Sequence, residues 1–252
     1  MGTGGAKSGV MKTILIVGIG TGNPEHLTVQ AINALNRADV LFIPEKGESK
    51  IGLAAVRHEI VGRYVSNPAA RVVDYRVPPR DAGNPDYQES VDAWHERLAQ
   101  IFAGLLEDVP EGGAGAFLVW GDPGLYDSTI RIVGRLRGDF RVEVIAGITA
   151  VQALTAAHGI GLNRIGEPVL ITTGRQLGAV AQDTVVMLDG QLAFLEADPE
   201  LEIFWGAYLG TPDEITIAGK LGVVRDQIVQ ARQAARARHG WIMDTYLLRK
   251  GE

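Results

Sequence analysis

The densest run of reactive and turn-forming residues is Leu118-Val-Trp-Gly-Asp-Pro-Gly-Leu-Tyr-Asp-Ser128. The apolar residues up to Trp120 predict a strand. Gly121-Asp122-Pro123-Gly124 then forces a tight excursion, and Ser128 stands where it would cap a following helix. A loop beyond the carboxyl end of a strand is the usual ligand side of an open α/β sheet. Its peptide groups are free to hold a ligand, while Asp122 and Asp127 bring negative charge. That charge suits a cation such as a sulfonium better than it suits a phosphate.

A second glycine-rich turn, Ile14-Leu-Ile-Val-Gly-Ile-Gly-Thr-Gly-Asn-Pro24, invites comparison with the dinucleotide fingerprint G-x-G-x-x-G. Gly18 and Gly20 fit it, but the third glycine is Gly22, one place early, and Asn23 stands where glycine belongs. Pro24 lacks an N–H where phosphate binding needs donors, and Glu25 adds repulsive charge. Glu45, at the end of the second predicted strand, matches the position of a ribose-binding acid. A chain-reversing glycine turn therefore outweighs a nicotinamide-dinucleotide site. A NAD-binding dehydrogenase stays as the alternative from another class, with a non-enzymatic nucleotide-binding regulator behind it.

Composition removes other chemistries. The 252 residues contain no cysteine, which excludes disulfides, thiolate metal sites and a cysteine nucleophile. Histidines 26, 58, 95, 158 and 239 show no close pair at metal-ligand spacing, so no metal is expected. A net charge of −6 without a dominant basic stripe disfavours nucleic acid as the main partner. No apolar run has membrane-spanning length, and the expected location is cytoplasmic. Residues 1–10 read as a flexible leader, with Met11 as the natural start.

Strands and helices alternate in the pattern of an α/β protein. Strands are expected at Ile14–Ile19, Val40–Ile43, Arg71–Val77, Ala116–Trp120 and Val142–Ile145 in the first half. Further strands are expected at Val169–Thr173, Thr184–Leu188, Ile203–Leu209 and Trp241–Leu248. Tyr87, Val91, Trp94, Leu98, Ile101 and Leu105 mark one face of a long helix, leaving His95 on its exposed side. Ser128–Leu136 and roughly Arg225–Arg238 read as helices, and Thr149 with Gln152 forms a capping box before another. The expected domains are 11–146 and 147–252, with a cleft between them as the default ligand site.

Together these stretches resemble the tetrapyrrole methylase family of S-adenosylmethionine-dependent methyltransferases. The resemblance rests on VGIGTGNPEHLT (17–28), ADVLFIP (38–44), GDPGLYDS (121–128), GITAVQALTAAHGIGL (147–162), TVVMLDG (184–190) and GTPDE (210–214). One departure is Ala146, where the family usually has proline before Gly-Ile-Thr. The resemblance implies two αβα domains, S-adenosylmethionine as methyl donor with S-adenosylhomocysteine as product, and a homodimer. Cofactor contacts carried over by position are Pro24, Gly121, Asp122, Leu125, Tyr126, Thr149, Ala150, Leu188, Asp189, Leu209 and Gly210. Many of these would act through backbone groups.

LVWGDPGLYDSTIRI (118–132), ITTGR (171–175), VVMLDG (185–190), WGAYLGTPDE (205–214) and GWIMDTYLLR (240–249) look like one branch of the family. That branch implies methylation of a corrin-ring carbon in cobalamin biosynthesis, with release of acetate. Another corrin precursor is the nearest alternative substrate. Methyl transfer from a sulfonium needs alignment and a dry site rather than a metal or a protein nucleophile. Acetate release calls for a general base, with Asp122, Tyr126, Asp127 and Asp244 as candidates and Asp127 preferred. A substrate rich in carboxylates calls for arginine clamps, with Arg80, Arg131, Arg175 and Arg249 as candidates.

Overall fold

The computed structural model describes residues 10–45, 51–81, 83 and 86–251. The expected leader lies outside these residues except for Val10. The chain forms two compact units: Met1–Gly20 with Leu27–Gly147, and Thr21–His26 with Ile148–Glu252.

The first unit contains, in order, β1 (Lys12–Gly18), α1 (Val29–Arg37), β2 (Val40–Glu45), α2 (Ile51–Tyr64) and β3 (Arg71–Arg76). It continues with α3 (Tyr87–Glu107), β4 (Ala114–Val119), α4 (Thr129–Val133) and β5 (Phe140–Ile145). The strands make one parallel sheet in the order β3-β2-β4-β1-β5. β1, β2 and β4 read as continuous apolar runs because both faces of the sheet are covered. Ile14, Ile16, Phe42 and Phe117 pack with Leu98, Phe102 and Ile132 from α3 and α4. Leu15, Val17, Leu41 and Leu118 pack on the other face with Ala31, Leu35 and Ile60 from α1 and α2. Each such fully buried large side chain contributes roughly 1.5–3 kcal/mol relative to exposure.

Helix ends follow the side chains available. Thr28 caps α1 by accepting from the Ala31 N–H at 3.0 Å, and Asp86 caps α3 through the Glu89 N–H at 2.9 Å. The long helix is rotated from its expected register. Its buried residues are Ser90, His95, Leu98, Ala99, Phe102 and Leu106, while Tyr87 is exposed. A 4-3-4-3 spacing averages 3.5 residues per turn and drifts from a straight helix of 3.6 over several turns. His95 is thereby buried, correcting the expectation that it faces solvent.

The second unit contains α5 (Ala150–His158), β6 (Val169–Thr173), β7 (Asp183–Met187), β8 (Glu202–Ala207) and β9 (Ile215–Lys220). α6 (Leu221–His239) and β10 (Asp244–Arg249) complete it. Its sheet has the order β6-β7-β10-β8-β9, and only the β6–β7 pair is parallel. The seven-residue connection 208–214 is too short for a crossover helix, so β8 and β9 pair antiparallel. Trp205, Tyr246, Ile203 and Leu248 pack against Ile228 and Ala235 of α6. On the other face α5 ends at His158, whose Nε2 lies 3.0 Å from the Trp205 carbonyl. No helix among the described residues is long and apolar enough to cross a membrane.

Candidate functional site

In the first sheet β1 is flanked by β4 and β5. The chain leaving β1 passes beyond β4 to reach β2, while the chain leaving β4 passes beyond β1 to reach β5. Such a switch in direction opens a crevice at the carboxyl ends of the strands. The loops after β1, β4 and β5 meet there through bare backbone. Gly20 and Gly121 exchange hydrogen bonds, with Gly121 N–H to Gly20 O at 2.7 Å and the return bond at 3.2 Å. A Cβ on Gly18 would come within 2.6 Å of Gly147 N, and one on Gly147 within 2.2 Å of Gly121 O. Glycine at 18 and 147 is thus imposed by contact. The spacing of residues in the β1 turn alone does not reveal this.

The carboxylate of Asp122 ties these loops together. One oxygen accepts from Gly124 N–H at 2.7 Å and the other from Gly147 N–H at 2.8 Å. Both oxygens hold backbone donors, so Asp122 positions these loops. Gly121 has φ of 72°, with open space where a Cβ would stand. Tyr126 has φ of 51° and its side chain is exposed. A non-glycine residue held in the left-handed region costs on the order of 1–3 kcal/mol, a cost typical of ligand-binding turns. Leu125, which donates its N–H to Asp122 O at 3.2 Å, completes the turn.

Asp127 Oδ1 accepts from Thr129 N–H at 2.7 Å, and Arg131 donates to the Asp127 carbonyl at 2.9 Å. Asp127 thus forms an Asx turn immediately before α4. The Ser128 hydroxyl makes no capping bond and instead sits 2.9 Å from His95 Nε2. Behind the loop, the Arg57 guanidinium is buried, donating to Leu118 O at 3.1 Å and Leu53 O at 2.8 Å. Its carbon lies 5.6 Å from the centre of the Trp120 ring. Burial lowers the Arg57 pKa to about 10, against the raising influence of Tyr75 and Asp127. Burial also pushes the Tyr75 phenol upward. Neither Arg57 nor the pairing of His95 with Ser128 is evident from residue spacing alone.

In the second unit the turn Thr21–His26 lies beside Gly210. A Cβ on Gly210 would meet Thr21 Oγ1 at 2.8 Å and the His26 ring at 2.9 Å. Thr21 Oγ1 and His26 Nδ1 are 3.1 Å apart, and Gly210 donates its N–H to Glu214 at 2.7 Å. Pro24, at the start of a short 3-10 turn, is brought by this packing into the neighbourhood of Leu209 and Gly210. Leu188 and Tyr208 have φ of 53° and 50°. Leu188 is exposed, whereas Leu209 is buried. Thr149 caps α5 and Ala150 is its first residue.

Asp189 is buried and held on three sides. It accepts from Gln191 N–H at 3.0 Å, Ala193 N–H at 2.7 Å and Tyr246 Oη at 2.7 Å. Asp244 accepts from Arg232 Nε at 2.9 Å and Trp205 Nε1 at 3.0 Å in the same interior. These bonds make both carboxylates part of the unit's framework. Arg249 is also committed: it meets Asp183 at 2.8 Å and the carbonyls of Gly161 and Leu162 at 3.0 and 3.1 Å. Arg80, Arg131 and Arg175 are exposed, with Arg80 4.7 Å from the centre of the Tyr87 ring. No group of three or more His, Asp or Glu side chains suited to a metal occurs among the described residues.

The family model of tetrapyrrole (corrin/porphyrin) methylases matches residues 13–224. The chain is 58% identical over 251 residues to precorrin-6A synthase (deacetylating) of Sinorhizobium sp, covering 96% of each. The crystal structure of a cobalamin synthesis related protein (CobF) from Corynebacterium diphtheriae has a TM-score of 0.80 and 41% identity. That match covers 96% of this chain and 100% of the other. Uroporphyrin-III C-methyltransferase from Thermus thermophilus, solved with S-adenosylhomocysteine, has a TM-score of 0.60 and 18% identity, covering 94% and 92%, which establishes likeness of fold. The chain belongs to the tetrapyrrole methylases, a family of S-adenosylmethionine-dependent methyltransferases with two α/β sheets.

Proposed function

We propose that this chain catalyses the reaction of its Sinorhizobium relative. Precorrin-5, S-adenosylmethionine and water become precorrin-6A, S-adenosylhomocysteine and acetate, with methylation at C1. The observation carrying this reading is the 58% identity across 96% of both chains. The same reading takes the acting form as a homodimer.

The glycine-lined turn at 121–126 suits a ligand held through peptide groups. Open space beside Gly121 and the exposed side chain of Tyr126 leave room for it. S-adenosylmethionine would supply the methyl group, its sulfonium becoming a neutral thioether that needs no proton to leave. The protein's part is to hold and align the partners, which preorganised backbone does without moving during reaction. Asp122 fixes the loop geometry. Arg80, Arg131 and Arg175 are the proposed contacts for substrate carboxylates.

The dehydrogenase alternative lacks the feature it needs. α1 begins only at Val29, so its N-terminus is not at the glycine turn where a pyrophosphate would require it. A thermal-shift comparison tests the reading. S-adenosylhomocysteine at about a hundred times its dissociation constant should stabilise the fold by about 2.7 kcal/mol, and NAD should leave the melting temperature unchanged. Stabilisation by NAD alone would overturn the methyltransferase assignment.

A further inference from the structure

We propose that Ser128 and His95 form a nucleophile–base pair that removes the acetyl group, an inference resting on the deacetylating reading above. Three observations support it. His95 is 4% exposed, yet its Nε2 lies 2.9 Å from Ser128 Oγ. Ser128 stands at the N-cap of α4 yet its side chain makes no capping bond, while Asp127 Oδ1 accepts from the Thr129 N–H. Ser128 is also partly exposed, on the loop that includes Gly121 and Tyr126. A hydroxyl released from its local structural duty and paired with a buried imidazole is the arrangement of an activated serine.

The step balances without any outside oxidant or metal. With the ring proton on Nδ1, the Ser128 hydroxyl donates to Nε2. Oγ adds to the acetyl carbonyl carbon as its proton passes to Nε2. The bond from that carbon to the macrocycle then breaks, and its electron pair returns to the macrocycle, which takes the proton from the imidazolium. The acetyl group is left as an ester on Ser128. Water adds to the ester with Nε2 accepting its proton, and that proton returns to Oγ as acetic acid departs, ionising to acetate. Ser128 and His95 finish as they began.

The surroundings keep the imidazole neutral. Burial lowers the His95 pKa first, followed by Arg135, with Arg131 of α4 acting in the same direction. Asp92 on its own helix and Asp127 on the loop oppose them. Acetate release should therefore decline only at pH values below the ordinary histidine pKa of 6.5.

The test uses the full chain in single turnovers with S-adenosylmethionine and precorrin-5. Acetate is quantified and the acid-quenched protein is mapped by peptide mass. The wild type should show an acetyl group on the peptide bearing Ser128. Ser128→Ala and His95→Gln should each lower the rate of acetate release by about 10²–10⁴-fold while retaining the thermal shift with S-adenosylhomocysteine. Ser128→Cys keeps a nucleophile and should trap the acetyl as a thioester even if the alanine variant folds poorly. Acetate release at the wild-type rate by folded Ser128→Ala would overturn the pair. Wild type that transfers methyl but releases no acetate would overturn the deacetylating reading and the pair together.

Discussion

His95 and His26 make the fold sensitive to acid in a defined direction. Burial lowers both pKa values from the ordinary 6.5, opposed at His26 by Glu214. Each ring binds a proton more readily in the unfolded chain. Their contribution to stability is complete above 6.5 and is lost as pH falls through the folded-state value. The urea midpoint should drop as pH falls below 6.5, and His95→Gln should make that drop shallower. An identical slope in the variant would remove His95 from this effect. The sequence identifies Gly121-Asp122-Pro123 as a turn but leaves the role of its aspartate open. The carboxylate bonds to Gly124 and to the distant Gly147, and only the folded sheet brings those donors together.

The elements that display one clear period are the legible ones. β1, β2 and β4 are apolar runs bounded by glycine or proline, and α5 is announced by Thr149 and Gln152. α2 is hidden because its inward face includes Arg57 alongside Val56 and Ile60, so a charge interrupts its apolar stripe. β9 is hidden because it runs directly into α6 with no turn residue between them. The alternation in the second half does not disclose the mixed sheet, since strand direction depends on which neighbours pair. The loop ends of β1, β4 and β5 give the sharpest element-level prediction. Gly147→Ala puts a methyl group 2.2 Å from Gly121 O, a backbone atom with little freedom to retreat. Its cost should be about 1–3 kcal/mol, read as a lower denaturant midpoint, together with weaker S-adenosylhomocysteine binding. Wild-type values for both would show that the three loops are not rigidly packed.

At the level of the whole chain, each of the two α/β units has positive-φ residues in its loops: Gly121 and Tyr126 in one, Leu188, Tyr208 and Gly210 in the other. The order of motifs along the chain makes the family legible, because it spans nearly the full length. Thr21–His26 belongs to the second unit despite its early position, which contact with Gly210 explains and linear order does not. The most direct measurement is incubation of the purified chain with S-adenosylmethionine and precorrin-5, followed by mass analysis of the corrinoid and quantification of acetate. The predicted product has gained a methyl group and lost the acetyl group, with acetate and S-adenosylhomocysteine formed in equal amounts. Methyl gain without acetate, or no methyl transfer to precorrin-5, would contradict the proposed reaction.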